Sequence, residues 1–317
     1  MSKSNNQTIH IACAIDDGFS YPLSAMLVSC LENNKMNNIK IHLFSASLSE
    51  HYVNLFSSLV NDYNQQFSFY HLKSDVLKDL PVSNRISIAS YYRLLIPENI
   101  DYSVEKYLYL DADLIVTGDL KPFYNTNLKN EKVFAAINDI SAIEGKLFIK
   151  HKIPKEYLYF NAGVLLIDKK KWLNMNAGTK VLKYLQEYPE LCQFHDQDGL
   201  NATLYKERQP ASPIWNQQVG IYFSDPEVIN RIYPEEANKA RNNPVIVHFN
   251  GIEKPWNHAS AHPYKKDFKK YAKKANGFFY YEKLTLKKFI KRHVLYRVFG
   301  WERVSKYYYN KAKKQFS

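Results

Sequence analysis

Two carboxylates spaced two residues apart, Asp111 and Asp113, interrupt the apolar run Lys106-Tyr107-Leu108-Tyr109-Leu110-Asp111-Ala112-Asp113-Leu114-Ile115-Val116. If the run is a strand, successive side chains face opposite ways and the two carboxylates share one side. Acids held together there repel each other and lose hydration. A divalent cation offsets both costs, and hard oxygen ligands suit Mg2+ or Mn2+. The plainer reading is a pair of solvated turn aspartates. The bare spacing arises about once by chance in a chain this long, and a second copy, Asp196-Gln197-Asp198, is present. The apolar flanks favour the metal reading for Asp111 and Asp113, because a buried carboxylate pair needs a partner.

Other residues leave two readings each. His248 ends the apolar run Val245-Ile246-Val247-His248-Phe249 and is either a metal ligand or a hydrogen-bonded structural residue. Lys254, between Glu253 and Pro255-Trp256, is a surface lysine or a fixed cation in a stiff loop just after His248. Arg93 can cap a helix. Asp196 and Asp198 can serve as helix N-terminal charge, which the helix dipole favours. Asn161-Ala162-Gly163 reads as a tight strand entry that needs a small residue, and Asp16-Asp17-Gly18 as a turn.

The elements that must position these residues follow from periodicity. Residues 9–15 form a short apolar strand ending at Asp16-Asp17-Gly18. Leu23, Met26, Leu27 and Cys30 recur at helical spacing over 19–31. A strand at 39–44, a helix at 49–63 with Val53, Phe56, Leu59 and Val60 on one face, and a strand at 67–72 follow. This is the pattern of a parallel sheet flanked by helices, an α/β fold. Ligands in such sheets collect beyond the carboxyl ends of the strands, the edge where Asp16-Asp17 and Asp111/Asp113 both fall. A helix over 86–95, stopped by Pro97, carries Arg93 in its last turns. After the central strand come strands at 133–137 and 159–167 and helices at 169–188 and 195–204. The last strand spans 245–249, with a loop through Gly251 and Lys254 after it. No internal repeat is present.

With 317 residues, 45% of them hydrophobic, the chain can bury a large core in one domain plus an appendage. Cys13, Cys30 and Cys192 lack metal-ligand spacing and read as small buried residues in a reducing compartment. The polar start MSKSNNQTIH lacks a signal-peptide core. No run approaches the roughly 18 apolar residues of a membrane span, so a cytoplasmic location is expected. Charge is uneven: residues 257–317 hold 17 basic and 3 acidic side chains, a net of +14, against 26 basic and 28 acidic elsewhere. The division expected is a catalytic body over 1–258 and a basic, aromatic extension over 259–317 that attaches to something.

In order and approximate spacing, six segments resemble family 8 of the retaining glycosyltransferases, nearest to the bacterial lipopolysaccharide galactosyl- and glucosyltransferases. They are Ala14-Ile15-Asp16-Asp17, Tyr91-Tyr92-Arg93-Leu94, Tyr109-Leu110-Asp111-Ala112-Asp113, Phe160-Asn161-Ala162-Gly163-Val164, Asp196-Gln197-Asp198 with Leu200-Asn201, and His248-Phe249 with Gly251 and Lys254-Pro255-Trp256. Together they cover residues 9 to about 258. The resemblance implies the GT-A fold, a Rossmann-like nucleotide-diphospho-sugar arrangement, and a UDP-galactose or UDP-glucose donor. It implies that Asp111, Asp113 and His248 bind Mn2+, with Mg2+ as the substitute, and that Lys254 contacts a phosphate near Gly251. Ala14 and Asp16 match positions at the uracil. Ala112, Arg93, Asn161, Asp196 and Gln197 match positions about the donor sugar, its ribose-phosphate end and the reacting centre. The chain departs from the bacterial relatives at Gly18 and Phe19, where they carry an amide and a tyrosine; Phe19 can stack on uracil but cannot donate a phenolic hydrogen bond. Arg85 and Ser87 lie where the family binds its acceptor, a variable region.

Retention of configuration follows from the resemblance and admits two routes. One uses an enzyme nucleophile. In the other, the acceptor attacks from the face the diphosphate leaves. Gln197 matches the position on the far face of the sugar, and an amide is a poor nucleophile, which favours front-face attack with Gln197 stabilising positive charge. Asp198 is the fallback nucleophile. Asp139, after the strand ending at Ile137, is a hydrogen-bonding partner for sugar hydroxyls or a turn aspartate.

The extension joins paired lysines to aromatics, as in Lys287-Lys288-Phe289-Ile290-Lys291-Arg292 and Lys306-Tyr307-Tyr308-Tyr309. A basic helix with aromatic edges suits an anionic membrane surface; nucleic acid and a solvated face with core contacts are the weaker readings. The expected protein is a hexosyltransferase at the inner face of the cytoplasmic membrane acting on a lipid-linked glycan, with no nucleic-acid partner. Its rivals are a protein-directed or self-glycosylating enzyme, a non-catalytic membrane- or nucleic-acid-binding protein on the same fold, and a metal-dependent phosphohydrolase.

Overall fold

Strand β1 (Thr8–Ala14), helix α1 (Ser20–Asn33), β2 (Asn38–Ser45), α2 (Glu50–Asp62) and β3 (Gln66–His71) follow the expected order. They come from a computed structural model that describes residues 7–78, 80–82, 88–129, 131–251 and 253–313. The three strands pair in parallel. Helix α2 buries Phe56, Leu59 and Val60 in the same core layer as Ile9, Ile11 and Ile41.

Strand β4 (Lys106–Leu110) lies parallel to β1. Its alternation shows why helices cover both faces: Leu108 and Leu110 join the layer that holds α1 and α2, and Tyr107 and Tyr109 join the opposite layer. Burying each such side chain contributes about 1.5–3 kcal/mol. The seven-stranded sheet has the order β3-β2-β1-β4-β7-β6-β8, completed by β6 (Phe134–Asn138), β7 (Phe160–Asp168) and β8 (Arg208–Pro210). The chain runs outward from β1 to β2 and β3, and the later strands run outward from β4 on the other side. That change of direction opens a crevice beyond the carboxyl ends of β1 and β4.

Four expectations need correction. The run 106–116 is not one strand. It breaks after Leu110, and Leu114–Val116 (β5) leaves the main sheet to pair antiparallel with β9 (Ile246–His248). The sheet is mixed, because β7 lies antiparallel to both β4 and β6. A strand with eight of nine residues buried carries no sign of its direction in its apolar pattern, which reads alike for either pairing. Residues 88–95 form a 3-10 helix, and Pro97 lies in the first turn of a short helix, Ile96–Asn99, rather than ending one. Proline is tolerated in a first turn because the missing N–H has no partner there anyway. The helix expected over 169–188 is two, α3 (Lys169–Asn174) and α4 (Ala177–Glu187), broken where Asn176 takes φ +53°.

The basic extension joins the body in part. Helix α6, taken here after α5 (Asp196–Leu204), spans Lys265–Ala272 and buries Phe268, Tyr271 and Ala272. Phe278 also enters the main core layer. Beyond it, helical turns at Leu286–Ile290, Lys291–Leu295 and Tyr296–Phe299 lead to α7 (Trp301–Lys313). Cys13, Cys30 and Cys192 are buried free thiols, and burial pushes Cys30 up to about 12. Among the described residues no helix is long and apolar enough to cross a membrane.

Candidate active site

A cavity of about 620 Å³ opens at the β1/β4 crevice, and Asp111, Asp113 and His248 converge on it. The convergence does not come from strand alternation. Asp111 sits past the end of β4, its backbone N–H bonded to Gly163 O at 2.9 Å, and Asp113 sits just before β5. His248 ends β9, and the β5–β9 register sets it opposite Leu114. His248 Nε2 lies 3.2 Å from Asp113 Oδ1 and 3.9 Å from Asp111 Oδ2. One ligand atom from each of the three residues lies within 4.8 Å of the others.

The space between them fits an ion. A Cβ on Gly163 would stand 2.3 Å from His248 Cε1 and 2.7 Å from Asp111 Oδ2, so the absence of a side chain leaves the cradle open. Two carboxylates and an imidazole are a donor set that Mn2+ or Mg2+ accepts. Lys254 Nζ reaches Asp113 Oδ2 at 2.5 Å and Phe249 O at 2.7 Å. Burial by itself would raise the Asp113 pKa; the opposing pull, led by the Lys254 ammonium, outweighs it and holds the carboxyl well below the usual range, so it stays ionised.

Arg93 ties this wall of the cavity together. Its Nη2 donates to Asp111 Oδ1 at 2.9 Å, and its Nη1 donates to Ala162 O. Nε donates to Ser90 O at 3.0 Å and lies 2.8 Å from Asp196 Oδ2. Tyr109 donates to Asp111 Oδ1 at 2.8 Å and carries the guanidinium over its ring at 4.6 Å. Asp111 Oδ1 is thereby filled, which leaves Oδ2 for the cavity. Burial raises Asp196 to about 6, against the pull of Arg93. His195, just before it, holds φ +49° and ψ −117°, a conformation that costs on the order of 1–3 kcal/mol for a non-glycine residue.

Gln197, Asn161 and Asp139 form an amide–carboxylate cluster. Gln197 Oε1 accepts from Ala162 N at 3.0 Å and from Asn161 Nδ2 at 3.1 Å, while its Nε2 donates to Asp139 Oδ2 at 3.3 Å. The backbone donor at Ala162 fixes which way the Gln197 amide faces. Asp139 caps the helix Ile140–Glu144 through Ala142 N, and burial raises its pKa despite the hydrogen bonds it accepts.

Of the residues singled out from the sequence, Ala14, Phe19, Arg93, Asp111, Ala112, Asp113, Asn161, Asp196, Gln197, His248, Gly251 and Lys254 all line this cavity. Asp16 does not line it. Asp198 is also absent from the lining and is fully buried on the far side of α5, where Oδ1 accepts from Tyr159 at 2.6 Å and meets His151 Nε2 at 2.8 Å. Its Oδ2 accepts from Phe194 N at 2.6 Å. The fallback nucleophile is therefore turned away from the cavity and already saturated. Successive helix residues diverge by about 100°, which is why Gln197 and Asp198 cannot both face the site. Arg85 and Ser87 lie outside the described residues.

Sequence reasoning missed Asn216, which meets His248, and the tail residues on the cavity wall. Lys291, Ser305, Tyr308 and Tyr309 all line it. Tyr309 OH contacts Ser224 Oγ at 2.7 Å and Ser141 Oγ at 2.8 Å, and Lys291 pairs with Glu253, next to Lys254. Nothing in the composition of a basic tail distinguishes a docked tyrosine from an exposed one.

The chain matches the family model "Glycosyl transferase family 8" over residues 10–260. It is 29% identical over 307 residues to a lipopolysaccharide 1,2-glucosyltransferase of Escherichia coli, spanning 90% of this chain and 88% of that one. It is 28% identical over 267 residues to general stress protein A of Bacillus subtilis, spanning 83% and 92%. Its fold superposes on a crystal structure of the galactosyltransferase LgtC in complex with donor and acceptor sugar analogues, with a TM-score of 0.75 at 24% identity, covering 89% of this chain and all of that one. The expected GT-A architecture is therefore present, and the chain belongs to glycosyl transferase family 8.

Proposed function

We propose that this chain is a retaining hexosyltransferase that moves galactose or glucose from a UDP donor to a glycan acceptor, using Mn2+, with Mg2+ as the alternative ion. The observation that carries the reading is the convergence of Asp111, Asp113 and His248 with Lys254 in one cavity. The names of the lipopolysaccharide glucosyl- and galactosyltransferases among its relatives support a lipopolysaccharide or lipooligosaccharide core as acceptor.

Transfer breaks an anomeric carbon–oxygen bond and leaves negative charge on the diphosphate. A cation held by Asp111, Asp113 and His248 would supply Lewis-acid stabilisation of that charge. Lys254, bonded now to Asp113, can turn its ammonium to a phosphate oxygen while Phe249 O keeps hold of it. Arg93 holds Asp111 and Asp196 in place. The carbonyl oxygen of Gln197 is already taken by two donors, so Gln197 does not act by offering a free lone pair to the sugar. We assign the balancing negative charge to Asp139, which Gln197 and Asn161 orient. With Asp198 turned away, front-face attack is favoured: the acceptor oxygen bonds the anomeric carbon on the face the diphosphate leaves, and its proton passes to a departing phosphate oxygen. NMR of the product should show the donor's anomeric configuration; an inverted product, or a covalent sugar trapped on Asp198, would overturn this route.

The tail suits a membrane surface at the cytoplasmic face. Phe279, Tyr281, Leu284, Leu286, Phe289 and Val298 are exposed among its basic residues. Binding to anionic vesicles that weakens with salt, and not to neutral ones, is the expected result; equal pelleting with both would refute it. One observation favours a second reading, self-glycosylation: Tyr308 lines the same cavity as the proposed metal ligands. A mass gain on incubation with UDP-sugar alone, lost in Tyr308→Phe, would establish it.

A further inference from the structure

His248 can serve as a metal ligand only if the nitrogen facing the two aspartates is free of hydrogen. That nitrogen is Nε2, 3.2 Å from Asp113 Oδ1. Its state is decided at the other nitrogen, and the decision traces back to a backbone donor whose direction cannot be exchanged. Gly163 N–H donates to Asn161 Oδ1 at 3.0 Å. The Asn161 side chain is thereby oriented, with Nδ2 toward Asp139 Oδ2 and Gln197 Oε1. Since Asn161 Oδ1 accepts, the Asn216 atom 2.9 Å from it must be the donor Nδ2. The remaining atom of that amide, Oδ1, is the one 3.0 Å from His248 Nδ1. A carbonyl oxygen only accepts, so Nδ1 carries a hydrogen, and in the neutral ring, which has just one, the lone pair lies on Nε2.

We propose that Asn216 is a positioning residue that, anchored through Asn161 on the Gly163 N–H, locks His248 in the Nδ1–H form with Nε2 directed at the cation site. The proposal rests on the metal reading above for its consequence, but the tautomer itself does not. Asn216 is placed by the backbone: Gln217 N donates to Ile246 O and His248 N donates to Gln217 O, both at 2.8 Å, so the segment holding Asn216 runs alongside β9. Asn216, Asn161 and His248 are all buried, which keeps water from replacing a lost partner. The relay also joins Gln197 to His248 through Asn161 and Asn216.

The test uses the full chain with histidine labelled in its ring nitrogens, at a pH where the rings are neutral. Nitrogen–proton correlation spectra should show His248 as the Nδ1–H form in the parent and a mixture of forms in Asn216→Ala. Mn2+ titration should show affinity about 10–100-fold weaker in Asn216→Ala. Asn216→Asp keeps an acceptor for the same hydrogen and should restore Mn2+ binding, even with the contact to Asn161 lost and the melting temperature lowered. A parent spectrum with the hydrogen on Nε2, or equal Mn2+ affinity in the parent and Asn216→Ala, would overturn the proposal. A parent that shows the Nδ1–H form and binds no Mn2+ would overturn the metal reading and leave the relay standing.

Discussion

Gly163→Ala is the smallest change aimed at the centre of the site. The added methyl would stand 2.3 Å from His248 Cε1 and 2.7 Å from Asp111 Oδ2, against ordinary contacts beginning near 3.4 Å. At least one of the two side chains must retreat by roughly an ångström, several times the ~0.2 Å tolerance of a ligand bond. Retreat of the imidazole would stretch its 3.0 Å contact with Asn216 and its 3.2 Å contact with Asp113. The overpacking should cost about 1–3 kcal/mol, with an affinity loss for Mn2+ of about 10–100-fold or more. Denaturant unfolding without metal reads the first quantity. Titration of free Mn2+ by its paramagnetic signal reads the second. The reasoning is refuted if Gly163→Ala retains both the stability and the Mn2+ affinity of the parent, since the cradle would then not need its missing side chain.

Other expectations follow from the same geometry. Asp198→Asn should keep donor turnover, because that carboxylate faces away from the cavity, whereas Asp198→Ala should lose about 3–5 kcal/mol of stability by stripping a buried charged network; loss of turnover in a folded Asp198→Asn would contradict the placement. Burial, helped by His10 and Lys40, lowers His42 to about 3 from an ordinary 6.5. Between those values the unfolded chain binds the extra proton, so stability should fall as pH falls, by about 1.4 kcal/mol per pH unit for this ring. Urea unfolding of His42→Gln should show a shallower acid slope, and an unchanged slope would refute the assignment. Asp196 acts oppositely, its raised value of about 6 adding stability as pH drops toward 3.8. Removing residues 285–317 should open the cavity wall formed by Tyr308 and Tyr309 and raise the rate at which water, rather than an acceptor, takes the sugar; an unchanged hydrolysis rate would refute a role in shielding the site.

The sequence exposed the elements whose period is self-evident and the residues whose chemistry is costly to bury. Strands β1 to β4 were legible as short runs rich in apolar residues, and helices α1 and α2 by apolar residues recurring at helical spacing. Asp111 and Asp113 were legible because charge in an apolar run needs an explanation. Their convergence was expected for a reason that proved wrong, since strand alternation does not operate between β4 and β5. The direction of β7 was hidden because a strand buried on both faces looks the same from either end. Asn216 was hidden because its importance lies in the neighbour it orients, a contact made across 32 residues. Gln197 and Asp198 illustrate a different limit. Adjacent residues in one motif were both candidates for the reacting centre, Asp198 as the fallback nucleophile, and the helix rotation separates them.

The measurement that tests the central claim most directly is UDP release. The protein is incubated with UDP-glucose, UDP-galactose and their N-acetyl forms, with Mn2+ or with chelator, alongside Asp113→Ala. The account predicts release from one hexose donor, abolished by chelator and by the substitution. Release that persists in chelator and in Asp113→Ala, or no release from any donor together with no UDP binding by calorimetry, would contradict it.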